Sequence, residues 1–293
     1  MKRMFLVTCW IFAFAIISSA QSTTFYFPHI ANGVLGSPPV VWKTTIFLTN
    51  PAASGTAFGS ITVQQDNANI GLAGSASSIT FVDETGAQTG LPILFAIAPG
   101  QTKKYVSTGT TPYVGGYATV NTAPPVGVGV VSGTSIFSEF DSTGRLIGEA
   151  GVPQAAALPK QAIFVDTQNG YNLGVGYANP NSSSAAVTLS LLDSTGAMVA
   201  STPELIGPGN HVAKFTTELF PGAPPLAGTM QISSSVPVAS IALRFDPTLS
   251  LFTTLPPVSI ASLLSPAFAW LEQHGGSHFS PIVRLLETFR LRV

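Results

Sequence analysis

Apolar residues recur at every second position through most of the stretches that lie between turns in this chain. That period admits strands and argues against helices. Thr44, Ile46 and Leu48 fall on one face of Trp42–Asn50, with Thr45, Phe47 and Thr49 on the other. The same alternation governs Ile61 and Val63, Ile79 and Phe81, and Val187, Leu189 and Leu191. It returns in Met230 and Ile232, and again in Ile241, Leu243 and Phe245. Leu173, Val175 and Tyr177 alternate with Gly174, Gly176 and Ala178, which leaves one face almost bare and open to close approach by a second sheet or a loop. Between Gln21 and Pro153 no segment carries a sustained helical period.

Further strands are expected at Thr24–Phe27, ended by Pro28, and at Leu94–Ala98, Lys103–Val106 and Tyr117–Val120. Val126–Asp141 reads as two strands divided at Gly133. Gly33–Pro39 and Gln65–Ala76 read as loops. Landmarks then recur in the same order in the two halves. Asn50-Pro51 answers to Asn179-Pro180, and Asp83-Glu84-Thr85-Gly86 to Asp193-Ser194-Thr195-Gly196. Pro99-Gly100 answers to Pro208-Gly209, and Phe140-Asp141 to Phe245-Asp246. Each pair has turn chemistry: asparagine or aspartate side chains that bond the backbone ahead, and glycines free to take positive φ. The expectation is an all-β chain of two diverged copies of one β-sandwich module, with Gln65–Ala76 a loop peculiar to the first copy.

The boundaries follow. Residues 1–20 read as a secretory signal peptide: Lys2 and Arg3, an apolar run from Met4 to Ile17, then Ser18-Ser19-Ala20. The run is shorter than the roughly 20 residues a membrane span needs. Residues 21–153 form the first sandwich, 154–160 an Ala- and Pro-rich linker, and 161–258 the second sandwich. Residues 259–293 form a helical tail, with Ser265-Pro266 and Ser280-Pro281 opening short helices. In the second of these, Ile282, Leu285, Leu286, Phe289 and Val293 share a face. Cys9 is the only cysteine and lies in the leader, so no disulfide is available to a processed chain. With 9% charged residues and a net charge of −1, the chain has no long-range field to attract nucleic acid. The expected location is secreted or cell envelope.

Few residues suggest chemistry. No nucleophile elbow, zinc-helix motif or phosphate-binding glycine loop is present. His29 and His211 have no suggestive setting in the sequence. His274 and His278 are separated by the helix-breaking Gly275-Gly276, which spoils them as a metal pair. Asp66-Asn67-Ala68-Asn69 offers oxygen ligands for calcium, but a solvated loop is the plainer reading. Glu139 and Arg244 hold equivalent places before Phe-Asp, as a pair across the modules or as two solvated residues. Trp42, Tyr105 and Tyr117 are candidates for a sugar-stacking surface, against the plainer reading of core packing. No catalytic, cofactor-binding or metal residue is assigned, and no cofactor is expected.

The run Thr44-Thr45-Ile46-Phe47-Leu48-Thr49-Asn50-Pro51, with Leu243-Arg244-Phe245-Asp246 and Thr253-Thr254-Leu255-Pro256, resembles a loose group of exported bacterial proteins. Their modules carry T-x-L-x-L-x-N-P, D-x-x-G, P-G and L-R-F patterns in that order. The likeness covers Phe25 to Pro256. It implies tandem Ig-like β-sandwich repeats and export, and supplies no activity or functional residue. The first copy departs from it, with Ser138-Glu139 where the second has Leu243-Arg244. The function expected is a non-enzymatic structural or adhesion-type protein of the envelope or extracellular space with a protein or polysaccharide partner. A carbohydrate-binding protein is the alternative and a secreted hydrolase the third.

Overall fold

A computed structural model describes residues 23–122, 129–249 and 251–260. The leader and the tail helices expected from the sequence lie outside the described residues. The protein is all-β, two β-sandwich modules in series. In the first, β1 (Thr23–Leu35), β2 (Val40–Thr49), β3 (Ala57–Gln65), β4 (Ser75–Ala76), β5 (Phe81–Asp83) and β6 (Gln88–Thr89) are followed by five more strands. These are β7 (Ile93–Ile97), β8 (Thr102–Ser107), β9 (Val114–Thr122), β10 (Ser132–Phe140) and β11 (Leu146–Pro153). The second module runs β12 (Leu158–Asp166), β13 (Asn172–Ala178), β14 (Ala185–Asp193), β15 (Met198–Ile206) and β16 (His211–Phe215). A single helical turn α1 (Thr216–Leu219) precedes β17 (Ala227–Phe245), β18 (Phe252–Leu255) and β19 (Val258–Ser259).

One strand in each module belongs to both of its sheets. β1 pairs with β9 as far as Asn32 and with β2 from Gly33 onward. Gly33 makes that corner at φ 107°, and a Cβ there would stand 2.6 Å from the Pro112 carbonyl oxygen. Only glycine fits such a conformation at such a distance. In the second module β17 pairs with β14 up to Ser234 and with β13 from Ala239. All pairings are antiparallel, and the two faces differ in polarity as alternation requires. Phe27, Ile46, Leu48, Ile61 and Phe81 fill the first core; Leu173, Val175, Val187, Leu189 and Ile232 fill the second.

The same ladders recur. β1–β9, β2–β10, β3–β9 and β2–β8 have counterparts in β12–β17, β13–β17, β14–β17 and β13–β16. Asn50 and Asn179 are fully buried at the same corner. Asn50 Nδ2 donates to the carbonyls of Gly55 and Ile97, and Asn179 Nδ2 to those of Ser183, Ile206 and Gly207. Each side-chain oxygen accepts the amide two residues on. A buried amide that satisfies so much backbone is why Asn, and not a larger residue, marks this turn.

Several expectations are corrected. Pro28 does not end the first strand: it sits in a bulge between Phe27 and Ile30, where no ladder donor is needed, and β1 continues to Leu35. β10 runs unbroken through Gly133. The Asp83 and Asp193 turns have the same local chemistry, each Oδ1 accepting from a threonine hydroxyl and two amides. They occupy different places, however. Asp83 joins β5 to β6 beside β8, whereas Asp193 joins β14 directly to β15. The first module's insertion therefore extends past Ala76 and includes the β5–β6 hairpin. β12 already begins at Leu158, within the stretch expected as linker, and Ala155 exchanges two backbone hydrogen bonds with Tyr26.

Candidate functional site: the cleft between the modules

The modules are fastened by the segment 66–74, which follows β3 and has no counterpart in the second module. Asn210, fully buried, receives it. Its Oδ1 accepts from the Asn67 amide at 2.9 Å, and its Nδ2 faces the carbonyls of Asn67, Asn69, Ile70 and Leu72 at 3.1–3.4 Å. The backbone joins in: Gly207 N–H donates to Ile70 at 2.7 Å and Gly74 N–H to Pro208 at 3.0 Å. Such contact requires glycines. A Cβ on Gly207 would lie 2.0 Å from the Leu72 oxygen, and one on Gly74 2.1 Å from the Gly209 oxygen. The loop is a strap between the modules, where the plainer expectation from sequence is a freely solvated loop.

Behind the strap runs a polar chain. Asp66 Oδ1 lies 2.8 Å from His211 Nδ1, and His211 Nε2 lies 3.2 Å from His29 Nδ1. The bare face of β13 makes room: the Cβ position of Gly176 is 3.3 Å from both His211 Nε2 and His29 Cβ. Burial, then repulsion by His211, pulls the His29 pKa down to about 3, and Asp66 only partly offsets this. His29 is therefore neutral at ordinary pH. The Asp66 carboxylate can only accept, so His211 Nδ1 donates to it. The His211 Nε2–His29 Nδ1 bond continues the chain. His29 Nε2 makes no hydrogen bond among the described residues.

His29 borders a cleft of about 390 Å³ between the modules. Trp42 of β2 and Phe137 of β10 wall one side, stacked at 4.5 Å between ring centroids. Ile241, Leu243 and Phe245 of β17 and Phe215 of β16 wall the other. Phe252 ties the walls together, 5.9 Å from Phe137 and 5.1 Å from Phe245. Leu35 and Leu249 stand at the mouth, each 49% exposed. Among polar groups, Glu139 is opposite Trp42 in the β2–β10 ladder and has no hydrogen-bond or ion-pair partner among the described residues. Burial raises its pKa. Tyr113 is pushed up to about 12 by burial and then by Asp66. Lys214 contacts Glu204 at 2.5 Å, and Glu204 also accepts the buried Tyr177 hydroxyl, so that ammonium is already neutralised.

The residues singled out from the sequence are dispersed. Trp42 lines the cleft, but Tyr105 and Tyr117 are buried packing residues, so the three form no common surface. Arg244 does not meet Glu139; it binds Asp166 at 2.5 Å and lies 3.4 Å from the Tyr171 ring centroid. His274 and His278 lie outside the described residues. Among the described residues no group of three or more metal-ligating side chains converges, and no helix is long and apolar enough to cross a membrane. His29 and His211 were invisible as a pair because 182 positions separate them. The sequence signal that pointed nearest was the Gly174/Gly176 face. In comparisons with known proteins, no family model, no curated protein and no solved structure matches the chain.

Proposed function

We propose that the chain is an exported, non-enzymatic binding protein of the adhesion type, and that the cleft between its modules is the binding site. The observation that carries this reading is the lining of the cleft. Aromatic and aliphatic side chains from both modules converge there with a few polar groups, the usual make-up of a ligand site. The strap supports it by holding the two walls at fixed separation, so that the site is preorganised. Export, and the origin of the two modules by duplication, rest on the leader-like N-terminus and on the recurring ladders and Asn-Pro corners.

Two measurements test the reading. Cell fractionation should recover the chain outside the cytosol without residues 1–20; recovery only in the cytosol with the leader intact removes the export argument. Captured envelope proteins and polysaccharides should be lost from the Leu35→Gln/Leu249→Asn variant, which makes the cleft mouth polar without adding charge. Capture undiminished by that change places binding elsewhere. A saturable polysaccharide signal lost on Trp42 substitution selects the carbohydrate-binding alternative, which Trp42 and Glu139 at the cleft favour.

A further inference from the structure

We propose that the cleft selects an organic cation, an ammonium or guanidinium group carried on an apolar body. The inference rests on the cleft being the binding site and adds the chemistry of what enters it. Three observations converge on the ligand: the charge of the cleft, its walls and its volume.

The charges do not balance. Glu139 and Glu218 both border the cleft, and the one ammonium there, on Lys214, is held by Glu204. Glu218 accepts the Phe215 amide at 2.7 Å, which orients its carboxylate without cancelling its charge. Glu139 has no partner at all among the described residues. A half-buried carboxylate without a counter-charge is costly in proportion to its desolvation, and a ligand cation relieves that cost.

The walls suit a cation too. Trp42, Tyr113, Phe137, Phe215 and Phe245 offer π systems that attract positive charge and apolar surface that holds the body of the ligand. An anion meets two carboxylates, and a neutral apolar molecule leaves both without a counter-charge. The volume is at the small end for ligand pockets, fit for one ring or one long side chain rather than an oligomer.

The test is calorimetric titration of the full chain with three probes of equal size: phenethylammonium, 2-phenylethanol and phenylacetate. The expected result is binding of the cation about tenfold or more tighter than the alcohol, with phenylacetate weakest. Glu139→Gln should erase that preference and leave the alcohol's affinity unchanged, with an unaltered thermal midpoint showing that the variant is folded. Equal affinity for cation and alcohol, or a preference that survives Glu139→Gln, overturns the inference while the cleft remains a binding site. Failure of every probe to bind overturns both. An arm with acetyl-Phe-Arg-amide separates the sources. Tighter binding than the free amine assigns the cation to a protein partner's side chain, and weaker binding assigns it to a small molecule.

Discussion

Gln101 and Asn210 hold the same place in the two modules, directly after a Pro-Gly turn, and each offers its backbone oxygen to the buried corner asparagine, Asn50 or Asn179. Their side chains do opposite things. Gln101 is exposed, whereas Asn210 is fully buried and grips the strap. The residues three positions earlier differ in step. The first module has Ala98; the second has Gly207, where a Cβ would strike the Leu72 oxygen. A turn that only closes a sandwich tolerates a methyl group and a solvated side chain. A turn that also receives another module needs neither bulk at one position nor freedom at the other.

That comparison is broken most severely at Gly207. Gly207→Ala should displace the strap and cost about 3 kcal/mol, a backbone clash together with several lost hydrogen bonds. Ala98→Gly should cost about 0.5–1 kcal/mol, the ordinary entropic penalty. Denaturant unfolding of both variants checks the contrast; equal losses would mean the strap is not what Gly207 serves. Asn210→Ala should cost about 2 kcal/mol by orphaning the strap's amide and carbonyls, and Gln101→Ala less than about 0.5 kcal/mol. Hydrogen exchange should quicken at residues 67–74 in the first variant only.

Proton linkage sharpens the same interface. His29 has a pKa of about 3 in the folded protein against 6.5 in a free chain. As pH falls below 6.5 the unfolded chain takes up a proton that the folded one refuses. Stability is thus whole above pH 6.5 and is lost toward pH 3, by up to about 1.4 kcal/mol per pH unit. Glu139, raised by burial, acts in the opposite sense near its own titration. The Asp83 and Asp193 carboxylates, held below their usual range chiefly by Thr85 and Thr195, lose their contribution only below about pH 4. Between pH 6.5 and 4.5 the slope of stability therefore sums the loss at His29 and the opposing gain at Glu139, and His29→Gln should remove the first and flatten or reverse it. An unchanged slope would free His29 from this role.

The smallest effect concerns the turn after each central ladder. Gly144 takes φ 83° after Asp141, and Leu249 takes φ 58° after Asp246. Leucine is strained there, so Leu249→Asn should raise stability by about 0.5 kcal/mol. Gly144→Ala should lower it by about 1 kcal/mol, although nothing lies within 4 Å of the added methyl. Thermal midpoints moving in the same direction in both would show that backbone conformation is not what distinguishes the turns.

How much of this was legible depends on the range of the interaction. Ile46, Leu48, Val187 and Leu189 announce their strands because alternation is a property of neighbours, and the Asp-x-Thr-Gly turns announce themselves because the bonds close within four residues. Place within the sheet was not legible. Asp83 and Asp193 look alike in sequence and sit in different hairpins, since a turn encodes its own geometry and not its partner strands. The cleft was legible only as an empty face, Gly174 and Gly176, with no indication of what would fill it.

The sequence by itself determined an all-β chain of two modules, the corner asparagines and most of the strand set. Those follow from side-chain period and local backbone chemistry. Tertiary structure alone decided that 66–74 is a strap, that Asp66, His211 and His29 form one chain, and that Trp42 and Phe245 face each other across a cleft. These contacts join residues far apart in sequence, and their existence depends on how two finished sandwiches pack, a geometry that no local pattern records.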